Sequence, residues 1–296
     1  MTTTALNMQD YLNDLATLPV KAWLAGPPGS GKTGSLEALL RHGLTVRLLS
    51  IDGNIRPLAQ QVALKCPQAI ERLDAVRISQ ETELDSFGRR SEPTGSHAID
   101  EIESALYRWP GKEPADTALW TAKHEVLVID NLTNVSSAAV TQVRRLNNKL
   151  GGKPMDFSLW GIAHDRILQF YENLASDRFR CNVLCLCHID YTEVSGATNS
   201  GAPLTFLRGF PSTIGKSLGA KIFGTFDTAL LYESRPDDEG RFIITQPTRG
   251  VDVKVPVPSD LIGKELSVVD GLGEIFAAMR GEKYTHFQKK EDKKKL

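Results

Sequence analysis

The chain has little cysteine, no long apolar run and no excess of charge of either sign. Four cysteines in 296 residues, with no C-x-x-C pair, argue against a disulfide framework and against a zinc site of that type. Cys181, Cys185, Cys187 and His188 do lie close together. Cys185 and Cys187 nevertheless fall on one face of the apolar run Asn182 to His188, which reads as a core strand carrying reduced thiols. No stretch approaches the length that spans a bilayer, and Met1 to Asp10 lacks a basic segment followed by an apolar one. A soluble, cytoplasmic protein with no membrane contact and no export signal is expected. Lysine and arginine number 35 against 36 aspartate and glutamate, a formal net charge of -1. That balance excludes a protein that coats nucleic acid with its whole surface and confines any such contact to a local patch.

What the chain does have is the run Gly26-Pro27-Pro28-Gly29-Ser30-Gly31-Lys32-Thr33, which fits the phosphate-binding pattern G-x-x-x-x-G-K-[ST]. Val20 to Ala25 reads as a short buried strand before it. Ser35 to Arg41, with Leu36, Leu39 and Leu40 on one face, reads as a helix beginning just after Gly34. Glycines let backbone N–H groups turn toward a phosphate, Lys32 supplies a point charge for the β- and γ-phosphates, and the Thr33 hydroxyl ligates Mg²⁺. ATP and Mg²⁺ are therefore the ligands expected at Gly26 to Gly34. A second acidic strand supports this reading: Glu125 to Asp130 is an apolar run ending in a carboxylate, as in a strand buried on both faces of a parallel sheet. Asp130 would then stand beside the loop and hold the Mg²⁺ shell.

The rest of the chain alternates in the same way. Strands are expected at Leu44 to Ile51, Ala75 to Ile78, Asn182 to His188 and Asp227 to Glu233. Helices are expected at Pro57 to Leu64, Ile99 to Tyr107, Ser136 to Leu150, Leu159 to Leu174 and Ile214 to Phe223. Glu81 to His97 is polar, Trp109 to Lys123 reads as a loop, and Ile189 to Pro211 is rich in Gly, Ser, Thr and Pro with no periodicity. Arg241 to Thr245 and Val251 to Val257 read as a terminal hairpin. The fold class expected is α/β, a mostly parallel sheet with helices on both faces and a C-terminal β-hairpin. In domain terms, 1–19 is a helical extension (Leu6 to Leu18 at near-helical spacing), 20–258 the main domain, 259–288 a second helical extension and 289–296 a basic disordered tail.

The order of phosphate loop, strand ending Ile51-Asp52, strand ending Ile129-Asp130-Asn131, the Asp156-Phe157-Ser158-Leu159-Trp160-Gly161 segment and strand ending Cys187-His188 resembles the phage-type AAA nucleotide-binding domain. This is the core-only branch of the RecA-like ATPases that phages use in recombination and single-strand annealing. The resemblance spans roughly Val20 to Val257, and its specific motifs are the phosphate loop and the Asp130 strand. It implies that Lys32 and Thr33 bind the triphosphate and Mg²⁺, that Asp130 completes the metal site and that His188 senses the γ-phosphate; a histidine that merely caps its strand is the other reading. It further implies that Asn148 to Ser158 and Asp190 to Thr213 fall at the two DNA-binding loops. There Arg208 would meet a phosphate of single-stranded DNA while Tyr191, Phe206 and Phe210 stack on bases; a packed lid is the alternative. A homo-oligomer, ring or filament, and a phage single-strand-binding protein are the implied protein partners.

One departure bears on catalysis. The family usually has a glutamate two positions after the aspartate that ends the second strand, where it polarises the attacking water; this chain has Asp52-Gly53-Asn54. An amide orients water but cannot accept its proton, so Asp52 substitutes or hydrolysis is slow. Lys216, Lys221 and Arg249 are the candidates for charge supplied by a neighbouring subunit. Three functions stay open at this point: a DNA-stimulated ATPase, a nucleotide-gated scaffold with little turnover, and a P-loop kinase. The kinase is disfavoured because no arginine-rich lid follows the Asp130 strand.

Overall fold

A computed structural model of the chain describes residues 17–51, 53–78, 98–111, 113–150, 153–197, 203–235, 240–248, 250–258 and 260–282. The expected N-terminal helix, apart from Thr17 and Leu18, the polar stretch Glu81 to His97 and the basic tail lie outside these residues. The strands are β1 (Lys21–Ala25), β2 (Thr45–Ser50), β3 (Leu73–Arg77), β4 (Glu125–Asp130), β5 (Asn182–Cys187), β6 (Ile189–Ala197), β7 (Pro203–Pro211), β8 (Thr228–Arg235), β9 (Gly240–Ile244) and β10 (Glu265–Ser267). The helices are α1 (Glu37–Arg41), α2 (Arg56–Lys65), α3 (Ala98–Tyr107), α4 (Leu132–Leu146), α5 (Phe157–Ala175), α6 (Lys216–Ile222) and α7 (Gly271–Met279).

Eight strands make one sheet in the order β10-β9-β8-β1-β5-β4-β2-β3. It is parallel from β8 through β3 and antiparallel where β9 meets β8 and β10. The alternation of side chains along each central strand feeds two cores. Trp23, Ile129, Val183 and Cys185 pack under α3, α4 and α5, while Leu24, Val128 and Leu184 pack under α1, α2 and α7. Burial on both faces is why these strands read as unbroken apolar runs, and it confirms the expected α/β class. The carboxyl ends of the parallel strands converge on one edge, bringing Ala25, Ser50, Asp130 and Cys187 together.

The structure corrects the expected layout in three places. Ile189 to Pro211 is not irregular: β6 and β7 pair antiparallel from Ile189↔Pro211 to Ala197↔Pro203. The C-terminal hairpin is formed by β8 and β9, and β10, not Val251 to Val257, takes the other edge of β9. Pro256 and Pro258 offer no N–H to a ladder, and the segment meets the sheet in one antiparallel bridge, Ala229↔Lys254. Helix α4 begins at Leu132, four residues before the expected Ser136, because the Asn131 side chain caps it by accepting from Asn134 N at 3.1 Å. Within the span 259–288, expected as a helical extension, the described residues 260–282 carry β10, which extends the sheet, and α7, whose Leu272, Ile275 and Phe276 are fully buried.

Lys21 is a buried cation at the opposite end of β1 from the loop. Its Nζ donates to Phe179 O at 2.6 Å and Cys181 O at 3.1 Å, and burial lowers its pKa from 10.5 to about 8. Below pH 8 the ammonium is charged in both folded and unfolded chains, and the folded state bears the whole desolvation cost. Between about 8 and 10.5 the folded state sheds its proton first, so stability attributable to Lys21 rises with pH. Urea unfolding of wild type and Lys21→Met at pH 7 and pH 10.5 should show the difference moving by about 3 kcal/mol in favour of wild type. Parallel pH curves would show that Lys21 is not titrating in this window.

Candidate functional site

The loop after β1 is held from both sides. Gly26 N donates to Cys187 O of β5 at 3.2 Å. On the other flank β8 comes so close that a Cβ at Gly26 would lie 2.8 Å from Tyr232 O. Gly29 and Gly31 have φ of +70° and +104°, a region that side-chain-bearing residues rarely adopt. Lys32 follows, almost wholly buried. Its Nζ donates to Gly26 O at 2.9 Å and Pro27 O at 2.8 Å and lies 3.4 Å from His188 Nδ1. Burial lowers its pKa. The neighbouring Cys187 thiol is pushed up to about 12 by burial, while the Asp130 carboxylate acts on the Lys32 charge in the opposite sense to burial.

On the β4 side, Thr33 Oγ1 donates to Asp130 Oδ2 at 2.7 Å, and the Asp130–Asn131 peptide is cis. A hydroxyl and a carboxylate are hard oxygen donors, and among the described residues no group of three His, Cys, Asp or Glu could hold a metal. This donor set fits Mg²⁺, which takes one or two protein ligands and completes its shell with water and substrate phosphate. His188, directly after β5, and Asn54, two residues before α2, line the same cavity, of about 430 Å³. Gln61 of α2 also lines it, with Oε1 lying 2.8 Å from a Cβ built at Gly34.

Across β1 the cavity is walled by residues that sequence reasoning missed. Tyr232 of β8, Arg241 of β9 and the Val268–Val269 turn after β10 line it beside Gly29, Gly31, Lys32, Thr33 and Gly34. The structure thus brings Lys32, Thr33, Asn54, Asp130 and His188 together with the loop. Pro27, Pro28 and Ser30 shape the loop from behind: Ser30 N donates to Pro27 O at 3.3 Å. Asp52 and Arg249 lie outside the described residues. Lys221 is exposed at the end of α6, whereas Lys216 in α6 and Phe206 in β7 have side chains outside the described ones. The hairpin divides the expected aromatic–arginine group. Residues directly opposite share a face, so Tyr191, opposite Gly209, points away from Arg208 and Phe210. Arg208 ion-pairs with Asp252 and lies over the Phe210 ring at 5.5 Å, while Tyr191 is half exposed.

The family model described as "AAA domain" matches residues 18–257. No match is found among curated proteins. Among solved structures, the chain is similar to a prototypical ATPase from the type III secretion system of pathogenic bacteria. The identity is 11% and the TM-score 0.39, over 77% of this chain and 56% of that one; the chain therefore spans little more than half of that relative's length. The match over residues 18–257 includes the phosphate loop, the Thr33–Asp130 pair and His188. The chain belongs to the AAA domain family and is a nucleotide-binding P-loop domain.

Proposed function

We propose that this domain couples Mg-ATP binding and hydrolysis to single-stranded DNA binding in recombination, annealing or repair. The observation that carries the proposal is the position of His188. Its ring stands 3.4 Å from Lys32 Nζ, and β6 begins at the next residue. The other end of the hairpin is tied to the same region. Ser212 N donates to His188 O at 2.8 Å, Thr133 Oγ1 donates to Ser212 O at 3.0 Å, and the Ser136 and Thr213 hydroxyls lie 2.8 Å apart. A shift at Lys32 or Asp130 therefore acts on both roots of the hairpin through hydrogen bonds and the first turn of α4.

In this reading Lys32 and the loop amides hold the β- and γ-phosphates, and Thr33 and Asp130 hold Mg²⁺. The metal supplies neutralisation of charge on the phosphate oxygens. Asn54 and Gln61 orient the attacking water without accepting its proton, which makes basal turnover slow. His188 reads the γ-phosphate end. The turn after β10, with Val268 and Val269, offers an apolar end of the cavity to the base.

The DNA surface we propose joins the hairpin to the connection between α4 and α5. Phe157 is 93% exposed and Trp160 38%, with Lys149 and Lys153 in the same connection. Exposed rings beside lysines suit stacked bases and their phosphates. In an anisotropy titration with labelled oligo-dT, binding should be tighter with Mg-ATP than with Mg-ADP. It should weaken by about 30-fold or more in the Phe157→Ala/Trp160→Ala double variant, in line with two stacks worth about 1–3 kcal/mol per base. Binding should survive deletion of 289–296. Binding that ignores the nucleotide and disappears with the tail would instead make the tail a plain electrostatic contact.

A further inference from the structure

The positive groups that sequence reasoning sought in a neighbouring subunit are matched by one in this chain. Pairing of Ser234 with Arg241 and of Tyr232 with Ile243 puts Tyr232 and Arg241 on the same face of the β8–β9 hairpin. That face carries Tyr232 and Ile243 into the core under α1 and α7. Past the end of β1 it overhangs the phosphate loop. A Cβ built at Gly31 would lie 2.8 Å from Arg241 Nη1 and 3.2 Å from the Tyr232 hydroxyl, so guanidinium and phenol both rest against the loop backbone. The guanidinium stands beside the Tyr232 hydroxyl, both within reach of a Cβ at Gly31, and Arg241 itself is exposed to the cavity it lines.

Sheet order decides which part of a nucleotide this arginine meets. Asp130, His188 and Asn54 follow β4, β5 and β2, all on one side of β1; Arg241 and Tyr232 come from β9 and β8 on the other. A nucleotide whose γ-phosphate faced the Asp130, His188 and Asn54 side would pass its α- and β-phosphates by Gly31 on the side of Arg241. We infer that Arg241, positioned by the Tyr232 hydroxyl, grips the non-transferred phosphates of the bound nucleotide in cis. It is a nucleotide-retaining group shared by ATP and ADP, not a finger for transition-state charge, and it rests on the nucleotide-binding reading above.

Calorimetry with Mg-ADP and with a slowly hydrolysed Mg-ATP analogue tests this on wild type, Arg241→Ala, Arg241→Lys, Tyr232→Phe and Lys32→Ala, each checked for folding by thermal unfolding. Arg241→Ala should weaken both nucleotides by a similar factor, on the order of 10-fold or more, as expected for loss of a charge-assisted hydrogen bond. Arg241→Lys should recover part of the loss, because the charge remains but the planar fork does not. Tyr232→Phe should cost less, about 3-fold. In steady-state turnover the Arg241→Ala loss should fall on KM rather than kcat. Wild-type affinity for both nucleotides in Arg241→Ala, or a loss confined to ATP, would overturn the inference while leaving the site intact. Wild-type affinity in Lys32→Ala would instead bring down the nucleotide reading, and this inference with it.

Discussion

Replacing Lys32 with alanine is expected to weaken Mg-ATP binding on the order of 100-fold, with charge-assisted hydrogen bonds to phosphate worth about 1.5–3 kcal/mol each. The buried ammonium is held by the carbonyls of Gly26 and Pro27 at 2.9 and 2.8 Å and the Ser30 hydroxyl at 3.5 Å, lies 3.4 Å from His188 Nδ1, and has its pKa lowered by burial in spite of the Asp130 carboxylate. An anionic phosphate is the partner that this charge lacks within the loop. Alanine removes the cation from the centre of the loop and leaves a triphosphate held by backbone dipoles and Arg241. Calorimetry reads the loss directly, and thermal unfolding shows whether the loop itself is retained. Unchanged affinity in a folded Lys32→Ala chain would mean that the phosphate sits elsewhere.

Asn54→Glu is expected to do the opposite to turnover and raise it, by about 10²-fold where the geometry is right. Asn54 lines the cavity just ahead of α2, and Gln61 of α2, which lines it together with Lys65, is also an amide. Two amides align a water molecule but take no proton from it. A carboxylate at position 54 adds that acceptor without moving a helix, since the residue is exposed. Steady-state phosphate release checks this, with Asn54→Gln as the control that preserves the amide. Equal turnover in wild type, Asn54→Glu and Asn54→Gln would show that position 54 does not contact the water, and His188 would become the next group to test.

The parts of the site that were legible in the sequence are those whose chemistry is carried by local spacing. The loop from Gly26 to Thr33 and the strand ending at Asp130 need only a few adjacent residues to be recognised, and the Thr33–Asp130 hydrogen bond follows from β1 and β4 sharing one sheet. Tyr232 and Arg241 were not legible, because only the register of β8 and β9 and the closeness of β8 to Gly26 carry them to the loop. One signal was present: side-chain alternation places Tyr232 and Ser234 on a common face, and a hairpin would set a partner there. The β6–β7 hairpin was hidden for a different reason. Its ladder is closed by backbone hydrogen bonds, while Gly, Ser, Thr and Pro in its strands weaken the period-two pattern. The early start of α4 shows the same limit at the scale of one residue, since Asn131, the cap of the helix, follows the last residue of the acidic strand with no loop between.

Coupling between the cavity and the hairpin is the central claim, and reciprocity gives it a direct test. If Mg-ATP tightens DNA binding by some factor, DNA must tighten nucleotide binding by the same factor. The measurement is the affinity of a slowly hydrolysed Mg-ATP analogue, by calorimetry, in the absence of DNA and with saturating oligo-dT. The account predicts tighter binding with DNA, by the factor by which the same analogue tightens oligo-dT binding relative to nucleotide-free protein, and loss of that difference when His188 is replaced by alanine. Equal nucleotide affinity with and without saturating DNA would contradict it.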